Sequence, residues 1–275
     1  MGAILAIGNL ADSATLSTTS GSMLRSLENL KTAWARGLAR GPSNYTAGVT
    51  ELVIRADLGS SKDISAVGIV GLNDAVADGS IKFSTVSAGA SDAGTETIAN
   101  DGLNAQTHGN SLWYVGAKFC RYIEITVYVY ALPSGQRYVD ARRLLIMSAD
   151  GTSATTVTLS AGVNFDWSLT SIDTSEAQVT ARGGVFVNTQ GTYRALQFSV
   201  SGMTSTEAEA LRIWLARARR TTECVVSLRT EDTDEMQSNR TIYGRLVDWS
   251  PIQHTGGDTY ECAGITVHET PYPAL

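Results

Sequence analysis

The densest group of ionisable side chains in this 275-residue sequence is Glu231, Asp232, Asp234 and Glu235, four carboxylates within five residues. Hard cations take several such oxygens. The stretch lacks the glycine and the spaced glutamate of an EF-hand loop, so it reads as a solvated or interface loop. His108, His254 and His268 are scattered, and with Cys120, Cys224 and Cys262 they show no metal-ligand spacing. No serine stands in a GxSxG elbow. Gly183-Gly184 and Gly256-Gly257 lie between strand-like segments and do not open a helix, so they read as turns and not as phosphate cradles. A carboxylate pair for glycoside hydrolysis leaves no local trace, because the fold sets its separation, and no pocket motif accompanies the acids. The expectation is a protein without catalytic, cofactor-binding or metal-binding residues, not an enzyme. Trp113 and Tyr114 offer flat apolar faces that suit either a sugar ring or a seat in a core.

The bulk properties agree with a binding or structural role. A net charge of −6 with interspersed signs supplies no extended cationic face, which argues against nucleic acid as a partner. Three cysteines far apart give neither a disulfide framework nor a zinc motif, so buried thiols and assembly in a reducing cytoplasm are expected. The first residues lack a basic region before their short apolar run and do not read as a signal peptide. No apolar run approaches the ~20 residues that span a bilayer.

Positioning such residues falls to strands and one helix. In residues 204–220, Thr204 stands three before Glu207, the spacing of a capping box. Ala208, Leu211, Trp214, Leu215 and Ala218 then share one face, while Arg217, Arg219 and Arg220 end the segment, where the helix dipole favours cations. This helix is the plug of a β-rich domain. Around it the pattern is that of strands divided by turn residues. Residues 1–50 read as loop with a turn of helix near 22–31, anchored by Trp34 and Tyr45. ELVIRADLGSS and SAVGIVGLN read as separate strands, KFCRYIEITVYVY as a central strand buried on both sides, and VDARRLLIMSAD as a closing strand. Small polar residues at 151–154 mark a boundary, giving domains 1–150 and 151–275. A hairpin is expected in 155–169, a pair of strands joined near 188–192, and a last pair joined across 254–257.

The order ADLGSS (56–61), VGIVGLN (67–73), IKFSTVSAG (81–89) and FCRYIEITV (119–127) resembles the galactose-binding-like, or discoidin-like, β-sandwich over residues 30–148. That resemblance implies a jelly-roll sandwich and, as in many members, glycan binding through loops at one end.

Residues 155–269 resemble the minor tail proteins of long-tailed bacteriophages, of the distal-tail, tail-tip or baseplate type. The features that carry this are Phe165 to Trp167, Arg182 before a Gly-Gly turn, YRALQFSV, the EAEALRIWLA helix, IYGRLVDWSP and ECAGITVHE. The resemblance implies a mainly β chain, a sandwich followed by a β domain carrying one amphipathic helix, that forms a ring with copies of itself below the tail tube. Neighbouring tail proteins (tube, hub, fibres) are the implied partners, and the virion the implied location. Arg217, Arg219 and Arg220 facing Glu231, Asp232, Asp234 and Glu235 are the candidate contacts between copies. The alternative is a glycan-binding adhesion module of the virion acting through Trp113 and Tyr114 on a host surface glycan. A glycosidase is a third reading.

Overall fold

The computed structural model describes residues 3–20, 23–33, 36–41, 50–71, 76–98, 110–129, 140–148, 156–160, 164, 166–179, 185–188, 192–228 and 241–270. The chain is mainly β. Its first part holds β1 (Ala3–Ile7), β2 (Thr15–Ser17), β3 (Ala39–Arg40), β4 (Thr50–Val70), β5 (Val76–Ser84), β6 (Gly94–Ile98), β7 (Asn110–Val129), β8 (Asp140–Ala141) and β9 (Arg143–Ser148). The second holds β10 (Thr156–Leu159), β11 (Ser168–Asp173), β12 (Glu176–Val179), β13 (Val185–Asn188), β14 (Thr192–Met203), helix α1 (Ser205–Ala218), β15 (Glu223–Ser227), β16 (Thr241–Trp249), β17 (Ile252–Gly256) and β18 (Thr259–Glu269).

Strands β2, β4, β7, β5 and β6 lie in that order, with β9 on the far half of β4, all antiparallel. β4 and β7 are long because each bends and serves both layers. Their pairing slips between Asp57 and Lys62 and again between Ile64 and Ala66, and such bulges turn a strand from one layer to the other. Gly59 at φ +76° and Gly116 at φ +65° take the left-handed conformation that these slips require. Asp57 Oδ1 accepts from the Gly59 amide at 2.8 Å. The Asp-Leu-Gly segment therefore makes a bulge inside one continuous strand, where the sequence pattern suggested a turn between two. Leu52 and Ile54 from one half of β4 and Val67 and Ile69 from the other close on a single core with Phe83, Ile123, Ile125 and Ile146. This is a β-sandwich. From Ile123 to Val127 β7 is buried on both faces, as the two-sided pattern of this strand predicts: Ile123 and Ile125 face the core, and Glu124 and Thr126 are buried on the other side, whereas Phe119 before them is exposed.

The second sheet runs β10-β1-β15-β16-β18-β14-β11, with β17 hydrogen-bonded to β18. β1 corrects the reading of residues 1–50 as loop. Its five residues are all buried and it pairs with β10 on one side and β15 on the other. A strand covered on both faces has no alternation to reveal it. The 151–275 unit therefore takes its second strand from the start of the chain, and the sandwich is inserted between β1 and β10. The hairpin expected in 155–169 is also absent: β10 and β11 lie at opposite ends of the sheet, paired with β1 and β14. β12 and β13 form a two-stranded ribbon of their own.

α1 follows the expected pattern. Thr204 Oγ1 accepts from the Glu207 amide, and Glu207 Oε2 accepts from the Thr204 amide at 2.9 Å. Ala208, Leu211, Trp214, Leu215 and Ala218 are buried over β10, β1, β14 and β18. Glu207 also accepts from the Ser160 amide and hydroxyl at 2.7 and 2.6 Å, tying the helix start to the end of β10.

Candidate functional site

A fully buried arginine with two carboxylate partners lies where the sandwich meets the second sheet. Alternation along β9 sends Leu144 and Ile146 into the sandwich core and Arg143, Leu145 and Met147 outward. On the facing sheet Ala6, Val225 and Tyr243 form a cross-strand row, and these pack with Ala66, Val70, Leu145 and Met147 in one apolar seam. Arg143 enters this seam with its side chain fully covered. Its Nη1 and Nη2 donate to the two Asp12 carboxylate oxygens at 2.6 and 3.0 Å, and Nη2 also donates to Glu223 Oε2 at 2.6 Å. The Tyr243 hydroxyl donates to the other Glu223 oxygen in a short hydrogen bond.

A short segment straps this corner. Asn9 donates to the Leu144 carbonyl at 2.6 Å and accepts from the Ile146 amide at 2.8 Å, so the chain leaving β1 is pinned along β9. Asn9 also caps the 3₁₀ turn Leu10–Ser13 that presents Asp12. A cleft of about 170 Å³ opens beside it, lined by Ile7, Asn9, Asp12, Met147, Glu223 and Tyr243, among others.

Burial works against the Arg143 charge, but the Asp12 hydrogen bonds and the carboxylates of Asp12 and Glu223 outweigh it and hold the guanidinium protonated. Burial and the Glu223 charge push the Tyr243 phenol well above its ordinary value, which keeps it a donor. Two carboxylates, a guanidinium and a phenol bonded to one another make a tie between two bodies. Cys224, at the edge of the cleft, is pushed up to about 12 by burial and is no nucleophile in this state.

The side chains singled out in the sequence are placed elsewhere. Trp113 lies in β7 opposite Val67, half-buried against the sandwich core. Tyr114 follows it opposite Ala66, and its side chain lies outside the described residues. Arg217 is exposed on the last turn of α1, Arg219 caps that turn at φ +24° with Nε donating to the Ala216 carbonyl, and Arg220 is exposed beyond it. Glu231, Asp232, Asp234 and Glu235 lie outside the described residues, as do Trp34, Tyr45, Phe165, His108 and the 182–184 turn. His254 contacts the Gly257 carbonyl at 2.7 Å, and His268 lies against Tyr193. Cys120, Cys224 and Cys262 are buried free thiols. Among the described residues, no group of three or more His, Cys, Asp or Glu is placed to hold a metal ion, and no helix is long and apolar enough to cross a membrane.

Sequence reasoning missed the Arg143 cluster because its members are separated by 131 and 80 residues. The available signal was an arginine standing in line with Leu145 and Met147 on an apolar strand, since a charge so placed needs a counter-charge.

No protein-family model matches the sequence, and no curated protein does. Among solved structures the chain is similar to chitosan-binding module 1 of a chitosanase/glucanase from Paenibacillus sp. IK-5, with 18% identity over 51% of this chain and 99% of that one, at TM-score 0.40. It is also similar to the lectin domain of lectinolysin complexed with Lewis B antigen (10% identity, 52% and 97% covered, TM-score 0.39). A third is a Streptococcus pneumoniae fucose-binding module (10% identity, 52% and 96% covered, TM-score 0.38).

Proposed function

We propose that the protein is a structural subunit of a bacteriophage tail tip, which assembles with copies of itself and carries the inserted sandwich as an appendage, without turnover of a substrate. Residues 155–269 resemble distal-tail proteins, which supports this role. The observation that carries it furthest is how the second sheet is covered. α1 lies over one face and the sandwich packs on part of the other, while β10 and β11 each pair on one side only among the described residues. Covered faces and open edges leave the edges and the outer side of α1 for neighbours, and open edges are the part of a sheet that most readily accepts another chain. The virion is then its place of work, and tube, hub and fibre proteins are its neighbours.

Light scattering on the purified full-length chain, followed by negative-stain microscopy, tests this: closed rings of uniform copy number are expected. Antibody labelling of whole particles should mark the tail tip. A chain that stays monomeric at high concentration and labels no particle overturns the reading.

A second reading, attachment to a host glycan through the sandwich, is favoured by one observation: Trp113 is only half-buried. A glycan array probed with the full chain tests it. Reproducible binding to defined sugars that Trp113→Ala abolishes supports this reading, and an array without specific signal removes it.

A further inference from the structure

We propose that Asp12, Arg143, Glu223 and Tyr243 form an acid-releasable lock between the inserted sandwich and the second sheet, so that neutralising the two carboxylates frees the sandwich to turn about its two connections. The proposal stands on the seam alone and holds whether or not the protein belongs to a phage.

The geometry supplies each requirement of such a device. Arg143 belongs to the sandwich strand β9, Asp12 to the strap that leaves β1, and Glu223 and Tyr243 to β15 and β16 of the other sheet. The cation is fully covered, and its counter-charges come from both sides of the seam. Arg143 Nε has no hydrogen-bond partner in this position, so the guanidinium depends on its two carboxylates. Protonating Asp12 and Glu223 leaves a buried cation facing neutral acids, which favours its return to water, and water is reached by parting the seam. What remains is a small apolar patch of Ala6, Ala66, Val70, Leu145, Met147 and Val225 with the Tyr243 ring.

The other groups near the cluster do not replace the lost charges. Arg245 is paired in register with Glu223 and is exposed, and Cys224 stays a neutral thiol. The Tyr243 phenol, held above its ordinary value, stays neutral at all acid and neutral pH and donates to Glu223. The sense of the switch follows: locked while both carboxylates are charged, released when both are neutral. Asp12 is the accessible end, with 47% of its side chain exposed against 17% for Glu223, so protons reach the cluster from the cleft.

Hydrogen exchange on the full-length chain at pH 7.5 and at pH 4, corrected for the intrinsic pH dependence of exchange, reads the seam directly. The Ala6, Leu145 and Val225 amides should lose at least tenfold in protection at pH 4, while the Leu211 and Phe198 amides, inside the second unit, keep theirs. The Asp12→Asn/Glu223→Gln chain should show the released pattern already at pH 7.5. Arg143→Met removes the cation that drives release, so its seam should respond to acid less than threefold. If Arg143→Met does not fold, Arg143→Lys, which keeps the charge and loses the paired contacts, should release at a higher pH than the wild type. Unchanged seam protection in the wild type at pH 4, a locked Asp12→Asn/Glu223→Gln chain, an Arg143→Met chain that releases as the wild type does, or an Arg143→Lys chain with the wild-type midpoint each overturns the proposal. Loss of protection at Leu211 and Phe198 together with the seam also overturns it, since that is global unfolding.

Discussion

Glu124 shows how single side chains set the response of the sandwich to acid. It stands on β7 between Arg55 and Lys82, its register partners on the two flanking strands, which donate at 2.5 and 3.0 Å. Burial pushes its carboxyl up, and the bonds and charges of Arg55 and Lys82 outweigh that, so it lies below its ordinary value of 4.5. Its contribution to stability is complete above that ordinary value and disappears as pH falls through the lower folded one. Glu124→Gln should therefore cost about 1–3 kcal/mol at neutral pH and flatten the acid limb of a stability profile. Urea titrations at a series of pH values check both. Residue-scale facts of this kind were only partly legible. The two-sided pattern of β7 marked it as central, but the pairing of Glu124 with Arg55 and Lys82 depends on register, and register is fixed by bulges at Gly59 and Gly116 that one-dimensional patterns do not locate.

At the scale of elements, α1 was the most legible part, because a helix start is written locally in Thr204 and Glu207 and its buried face repeats within each turn. Removing the Glu207 carboxylate loses its half of the capping box and the tie to Ser160 together, so Glu207→Ala should lower stability by about 1–2 kcal/mol, read as a shifted urea midpoint. The strands were less legible. β16 and β18 approach so closely at Gly244 that an added Cβ would lie 1.9 Å from the His268 carbonyl oxygen. Neither strand can yield without breaking the pairing of Leu246 with Val267 or of Gly244 with Glu269, so Gly244→Ala should cost about 3 kcal/mol or more, again measured by urea unfolding. Glu269 accepts from Arg194 at 2.6 Å, with both side chains buried beside this contact. β1 escaped the sequence reading for a different reason: five apolar residues flanked by no periodic pattern say that a segment is buried and say nothing of which sheet buries it.

On the scale of the whole molecule, the insertion dictates which pieces can exist alone. β1 and β10 are antiparallel neighbours with Ala6 opposite Thr156, so the end of one and the start of the other are close enough for a tight turn. A chain that joins residues 1–7 to 156–275 through such a turn should fold and melt cooperatively. One that begins at residue 151 lacks the strand between β10 and β15 and should aggregate or stay unfolded. Circular dichroism with thermal melting distinguishes the two, and cooperative folding of the shorter chain would disprove the account of β1. The membership of residues 3–7 in the later sheet was not legible in the sequence, because contacts across so long a separation leave no local mark.

That separation also has a consequence during synthesis. β1 leaves the ribosome before the rest of its sheet, and its partner β15 cannot pair with it until Glu223 to Ser227 have been translated, about 10–40 s later at about 5–20 residues per second. Until Thr156 to Leu159 of β10 have been made, an apolar pentapeptide waits without either neighbour while the sandwich is completed behind it. Sequestering Ala3–Ile7, by a chaperone or by transient contact with the nascent sandwich, is then the step on which the yield of native protein depends.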